Sequence, residues 1–248
     1  MTVEEQSDSD VCWHSAKFRM ARMVEPHGCD ALVDHLFVYR ALAHSWLEPV
    51  LAIGRSLERT EPGERRVEWR LAEVLTIDIL RDQGLDGAEV DSKFVDMVPE
   101  DCVPFGTVPR PEASKPIRRH LMSVGPHCTT GKEAPWFSAK VRDTILFEND
   151  NGEFEDSVYL FKAADFDAAL DRAIRLGQAE DREYLGGPDA RRVQWKLAEV
   201  MSLNLLGAGE FGDAVEVHSE AAALKDKDRV PFDFVFHPER SKWGHTGV

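Results

Sequence analysis

Arg65-Arg66-Val67-Glu68-Trp69-Arg70-Leu71-Ala72-Glu73-Val74 returns later in the chain as Arg191-Arg192-Val193-Gln194-Trp195-Lys196-Leu197-Ala198-Glu199-Val200. A repeated stretch of this length sets the domain count before any single residue is weighed. The match extends outward from it. Trp13-His14-Ser15-Ala16-Lys17-Phe18-Arg19 pairs with Trp136-Phe137-Ser138-Ala139-Lys140-Val141-Arg142, and Phe37-Val38-Tyr39-Arg40-Ala41 with Tyr159-Leu160-Phe161-Lys162-Ala163. Gly54 pairs with Gly177, and Glu89-Val90-Asp91-Ser92 with Glu216-Val217-His218-Ser219. Val103-Pro104-Phe105 and Pro111-Glu112-Ala113-Ser114-Lys115 recur as Val230-Pro231-Phe232 and Pro238-Glu239-Arg240-Ser241-Lys242. The chain therefore reads as two tandem copies, too long and too few for a solenoid.

Each copy reads as β-β-α-β-β. Trp136 to Phe147 and Ser157 to Lys162 are strand-like, and Asn149-Asp150-Asn151-Gly152 between them carries residues that tolerate positive φ, so a hairpin is expected. Phe166, Ala169, Leu170, Ala173, Ile174 and Leu176 recur at helical spacing, with Asp165 as N-cap and Gly177 near the stop. In the first copy Ser45-Trp46-Leu47-Glu48 has the form of a capping box, with Pro49 in the first turn. A long strand follows, Val193 to Leu205, whose apolar residues alternate: Val193, Trp195, Leu197, Met201, Leu203, Leu205. Its counterpart gives Val67, Trp69, Leu71, Leu75, Ile77 and Ile79. Ala214–Ser219 and Ala88–Ser92 close the copies. Strands joined by short turns, with one helix each, predict an α+β fold of two antiparallel sheets, the copies related by a pseudo-twofold. The expected domains are 11–105 and 133–248, with 106–132 as a Pro/Gly-rich basic linker. The aromatic C-terminal tail, with Phe232, Phe234, Phe236 and Trp243, is expected to pack on a domain.

The chain of 248 residues carries a net charge of −15, with 43% hydrophobic and 30% charged residues. The acidity is even, −7 over residues 1–125 and −8 over the rest. Such a field repels phosphate backbones, which argues against nucleic acid, and suits a basic protein partner. Cys12, Cys29, Cys102 and Cys128 form no C-x-x-C and none has a counterpart in the other copy, so free thiols in a reducing cytoplasm are expected. No secretory h-region and no apolar run of membrane-spanning length is present, which predicts a cytoplasmic protein that does not cross a membrane.

The Trp-Phe-Ser-x-Lys start, the Val-x-Trp-Lys-Leu-x-Glu-Val core and the Glu-Val-x-Ser end resemble a small bacterial family of domains of unknown function. The resemblance covers Trp136–Ser219 well and Trp13–Ser92 less well, since that copy lacks the Gly-rich turn and has gained Pro49. It implies a fold pattern and a bacterial source, and no activity.

Glu73 and Glu199 fall on the apolar phase of their strands. A carboxylate there must find a partner, take up a proton, or be turned outward by a β-bulge. Trp13, Ser15, Lys17 and Arg19 share one strand face, as do Trp136, Ser138, Lys140 and Arg142. These faces can bind an anion, or pair across the sheet with Glu73 or Glu89 and with Glu199 or Glu216. Asp91 against His218 breaks the symmetry of the closing strands. Trp69 and Trp195, among aliphatics, read as core. No metal-ligand spacing, nucleophile elbow, phosphate loop or dinucleotide fingerprint is present, so no metal, cofactor or catalytic residue is assigned. The reading favoured is a non-catalytic acidic interaction protein, such as an immunity-type partner that neutralises a basic bacterial protein. The alternative is an enzyme or small-molecule binder with Lys17, Arg19, Glu73, Lys140, Arg142 and Glu199 lining a cleft at the junction of the copies.

Overall fold

The computed structural model describes residues 11–42, 46–80, 84–97, 105–106, 118–121, 134–148, 152–186, 190–212 and 214–242, with the backbone alone for 118–121. The Asn149–Asn151 turn, Ser45, Cys102, Cys128, Trp243 and most of the expected linker lie outside these residues.

The chain forms two compact units, Met1–Asp82 with Phe211–Val248, and Gln83–Glu210. In the first unit β1 (Val11–Val24) and β2 (Gly28–Leu42) form a hairpin, followed by α1 (Leu47–Ser56), β3 (Arg59–Glu61) and β4 (Val67–Leu80). In the second, β5 (Ala88–Asp96) and β6 (Arg118–Leu121) precede the hairpin β7 (Trp136–Phe147) and β8 (Glu153–Lys162). Then come α2 (Phe166–Ala179), β9 (Arg182–Gly186) and β10 (Arg191–Gly207). The last strand, β11 (Ala214–Ala222), belongs to the first unit. The sheets run β11-β2-β1-β4-β3 and β5-β8-β7-β10-β6, with β9 also on β10. All pairings are antiparallel except β6 with β10. The short strands β3 and β9, between helix and long strand, are additions to the order read from the sequence.

These units cut across the contiguous halves of the chain. β5, from the first half, pairs with β8, while β11, from the second half, pairs with β2. The registers correspond residue for residue. Glu89 lies opposite Tyr159 and Asp91 opposite Val158, with Val90 bulged between them; Glu216 lies opposite Phe37 and His218 opposite Leu36, with Val217 bulged. The segment after each strand follows it. Arg66 and Arg70 stack over Phe232 at 5.3 and 4.9 Å, and Arg192 stacks over Phe105 at 5.3 Å. The tail does pack, as expected from its aromatic content. Arg70 donates to the Phe232 and Phe234 carbonyls, the Cys29 N–H donates to the Val230 carbonyl, and the Val74 N–H donates to Ser241 Oγ.

One helix covers part of one face of each sheet. Under α1 lie Ala16, Phe18, Phe37, Tyr39, Leu71, Val74 and Ile77; under α2 lie Phe137, Ala139, Val141, Phe161, Leu197, Val200 and Leu203. On β4 and β10 the core positions come every third residue, against the strict alternation expected. Bulges in both strands reset the phase, and that carries Glu73 and Glu199 away from the helix side. Asp165 caps α2 by accepting the Ala168 N–H at 2.8 Å. α1 instead has Trp46 at its N-cap, with no side-chain cap. Gly177 lies near the stop of α2, as expected, inside the last turn before Ala179. A Cβ there would stand 2.6 Å from Leu197 Cδ1, and one on Gly54 would stand 2.7 Å from Leu71 Cδ1. These glycines let each helix lie close on its long strand.

Candidate functional site

The basic stripes are taken up by ion pairs. Arg19 makes a two-pronged pair with Asp34 at 2.6 and 2.8 Å, and Arg142 makes one with Asp156 at 2.6 and 2.9 Å. Lys140 stands 3.5 Å from Asp156, and Lys17 stands 3.9 Å from Glu220. The two-pronged partners of both arginines are thus aspartates on the neighbouring hairpin strand, while Lys17 stands beside Glu220 of β11. Asp34 and Asp156 occupy matching places, three residues before Phe37 and Tyr159, so the repeat already pointed to them. With the Asp156 side chain only 3% exposed, the Arg142 pair is a structural joint whose disruption leaves a buried charge to Lys140 alone.

The remaining sequence candidates separate. Glu73 and Glu199 lie in register beside Arg19 and Arg142, half-buried. Glu216 sits 2.7 Å from His35 Nδ1 on the helix side of its sheet. His218 is buried, with its Nε2 at 3.8 Å from Glu220. Of all these residues Glu89 leads to the most unusual chemistry.

On the α2 face of the second unit, past the helix C-terminus, carboxylates gather from three strands. β5 brings Glu89, β7 brings Asp143 and β8 brings Glu155; Glu180 and Asp181 follow the helix. Asp143 is 1% exposed, and its Oδ1 has no hydrogen-bond partner among the described residues. Burial pushes its carboxyl up to about 8, with Glu155, Asp181, Glu89 and Glu180 adding repulsion. Burial likewise raises Glu89 to about 7, against hydrogen bonds from Ser157 and Ser92. Glu155 rises for the same reason, opposed by Ser92 and the nearby Arg182. Desolvation raises Tyr159 beside them. Acids that hold protons near neutral pH can bind a cation by giving up those protons, or pass a proton to a bound molecule.

An aromatic rim adjoins the acids. Trp195 is packed edge-on by Phe94, itself 63% exposed, with ring centres 6.4 Å apart, and the Arg182 guanidinium lies over Trp195 at 4.2 Å. Neither tryptophan is plain core: each is half-buried at the sheet margin under an arginine, Arg59 lying over Trp69 at 5.1 Å. The two margins differ in chemistry. The Trp69 indole donates to Glu61 at 2.6 Å, whereas the Trp195 Nε1 is buried with no acceptor. Tyr184 stands where Glu61 does in the other unit. Asp143, opposite Leu197 and Glu155, stands where Met20 lies opposite Leu71 and Val33. The second unit thus carries an unmatched acceptor and an unmatched donor on one face, where the first carries a satisfied pair and a methionine.

Among the described residues no group of three or more His, Cys, Asp or Glu side chains is arranged to hold a metal ion, and no helix is long and apolar enough to cross a membrane. Comparison with curated proteins and with solved structures finds no match. Residues 136–219 match the family model of a domain of unknown function (DUF4288), a segment that runs from β7 to β11 and so contributes its last strand to the other unit's sheet.

Proposed function

We propose that the chain is a non-catalytic binding protein, a tandem duplication of one small domain with its closing strands exchanged, in which the second unit takes a lysine- or arginine-bearing segment of a basic partner protein. An immunity-type neutralising partner in a bacterial cytoplasm is one form of this role. The observation that carries it is the face holding Asp143 Oδ1 and the Trp195 Nε1, both buried and both without a partner. An ammonium or guanidinium group satisfies Asp143 and relieves the repulsion among Glu89, Glu155 and Asp143, and the Phe94–Trp195 margin covers its alkyl stem. The net charge of −15 steers such a partner and disfavours nucleic acid.

Calorimetric titration with Lys- and Arg-rich peptides in buffers of different ionisation enthalpy tests this. Protons leave Asp143 and Glu89 as the cation enters, so the observed heat depends on the buffer, and Asp143→Asn and Glu89→Gln together abolish that dependence and weaken binding. Peptide binding that is unchanged in the double variant, or that releases no protons, refutes the reading.

A catalytic or small-molecule reading draws support from the same pair. Two carboxyls near neutral pH, at about 7 and about 8, are suited to proton transfer. It requires a substrate whose turnover follows a pH profile with those limits and is lost in Asp143→Asn.

A further inference from the structure

A second cleft, in the first unit, has the opposite electrostatic character. It encloses about 420 Å³ between β4 and the tail that follows β11. Lys227, in a short 3-10 turn, and Arg240 and Lys242, at the end of the tail, stand around it. Lys227 and Lys242 join no ion pair among the described residues, and the nearest carboxylate of Arg240 is Glu239 at 3.9 Å. In a chain with half again as many acids as bases, three loosely held cations at one cleft are a concentrated exception. Two carboxylates, Glu73 and Asp228, also line it. Glu73 lies across from Arg19, which is itself neutralised by Asp34. With Arg19 so neutralised, the lining keeps Lys227, Arg240 and Lys242 against Glu73 and Asp228, an excess of one positive charge carried by the tail.

One wall is apolar. Phe234 and Phe236 meet edge to face, with ring centres 5.1 Å apart, and Phe234 is 41% exposed. The tail is fixed in place, since Val230 and Ser241 are hydrogen-bonded to the strands on either side of the cleft. The backbone that carries the cations and the aromatic wall is thus anchored, which lowers the cost of binding.

We propose that this cleft binds a small organic acid, its carboxylate or phosphate held by Lys227, Arg240 and Lys242 and its apolar body lying on Phe234 and Phe236. Glu73 accepts a hydrogen bond from a hydroxyl or amine on the same ligand. This site does not depend on the acidic face of the other unit.

The test uses the full chain and four probes: 2-naphthoate, 2-naphthyl phosphate, the neutral 2-naphthalenemethanol, and inorganic phosphate. Amide chemical shifts are followed by NMR during titration. The expected result is saturable movement centred on residues 227–242 with one or both of the naphthyl acids, the stronger of the two identifying the acid group. The alcohol and inorganic phosphate give none. Lys227→Glu, Arg240→Glu and Lys242→Glu together, all at exposed positions, weaken binding about tenfold or more. Phe234→Ala weakens it independently of charge. Circular dichroism of each variant verifies that the fold is intact. No saturable movement at millimolar probe, equal affinity in the triple charge reversal, or shifts that map elsewhere would overturn the proposal. So would a response to polyglutamate alone, which would mark the patch as a protein-docking surface.

Discussion

Asp143 makes the stability of the second unit depend on pH in a direction opposite to that of an ordinary ion-paired carboxylate. Its carboxyl moves from an ordinary 3.8 to about 8 in the folded protein. The folded state therefore binds the proton more tightly than the unfolded state. Its stabilising contribution is complete below about pH 4 and is lost as pH rises toward 8. Within that window each pH unit removes about 1.4 kcal/mol. Asn at this position keeps the shape of the protonated acid and cannot ionise. Asp143→Asn should therefore match the parent below about pH 4, lead it by about 1.5 kcal/mol at pH 5, and gain about 4 kcal/mol more by pH 8. Glu89, at about 7, shares the same field, so the two titrate as a pair and Glu89→Gln shifts the curve without removing it. Urea unfolding followed by tryptophan fluorescence at intervals from pH 4 to pH 8.5 measures the gap, and titration of groups remote from Asp143 cancels in the difference. A gap that stays constant with pH, or narrows as pH rises, would show that Asp143 is ionised and paired in the folded protein.

Gly177→Ala places a methyl against Leu197 and should cost about 1–3 kcal/mol, with partial recovery when Leu197 is also cut back to Ala. Arg142→Ala leaves the buried Asp156 with Lys140 at 3.5 Å as its remaining cation and should cost about 1–3 kcal/mol by denaturant titration. Residues 83–210, which form one uninterrupted compact unit, should fold when expressed alone and show a cooperative melt, whereas residues 1–105 should not. Once cleaved at a protease site inserted near residue 125, the fragments should stay together on a sizing column, because each keeps a strand in the other's sheet.

Much of the architecture was written locally. The repeated Arg-Arg-Val-x-Trp stretch marks both long strands, Asp165 marks a helix start, and the period-two spacing of Trp13, Ser15, Lys17 and Arg19 gives a shared strand face. The phase of β4 was not legible, because bulges change which residues face the core while leaving the residue types unchanged. The exchange of β5 and β11 was not legible either. The two Glu-Val-x-Ser segments have the same register requirements, so local pattern cannot say which sheet each will join. The pairing of Arg19 and Arg142 with Asp34 and Asp156 was present in the alignment of the halves and was missed in favour of glutamates that break the apolar pattern. The acidic face was hidden for a different reason. Comparison of the halves draws attention to what they share, and this site rests on where they differ: Asp143 against Met20, and Tyr184 against Glu61.

The pairing of β11 with β2 also imposes an order on synthesis. As the ribosome releases the chain, β1 to β4 emerge first, yet the outer edge of β2 stays open until β11 appears near the end. The middle of the chain, with its own closing strand already made, completes itself earlier. The first sheet to be translated is thus the last to be finished, and until then it presents an open hydrogen-bonding edge to every other nascent chain nearby.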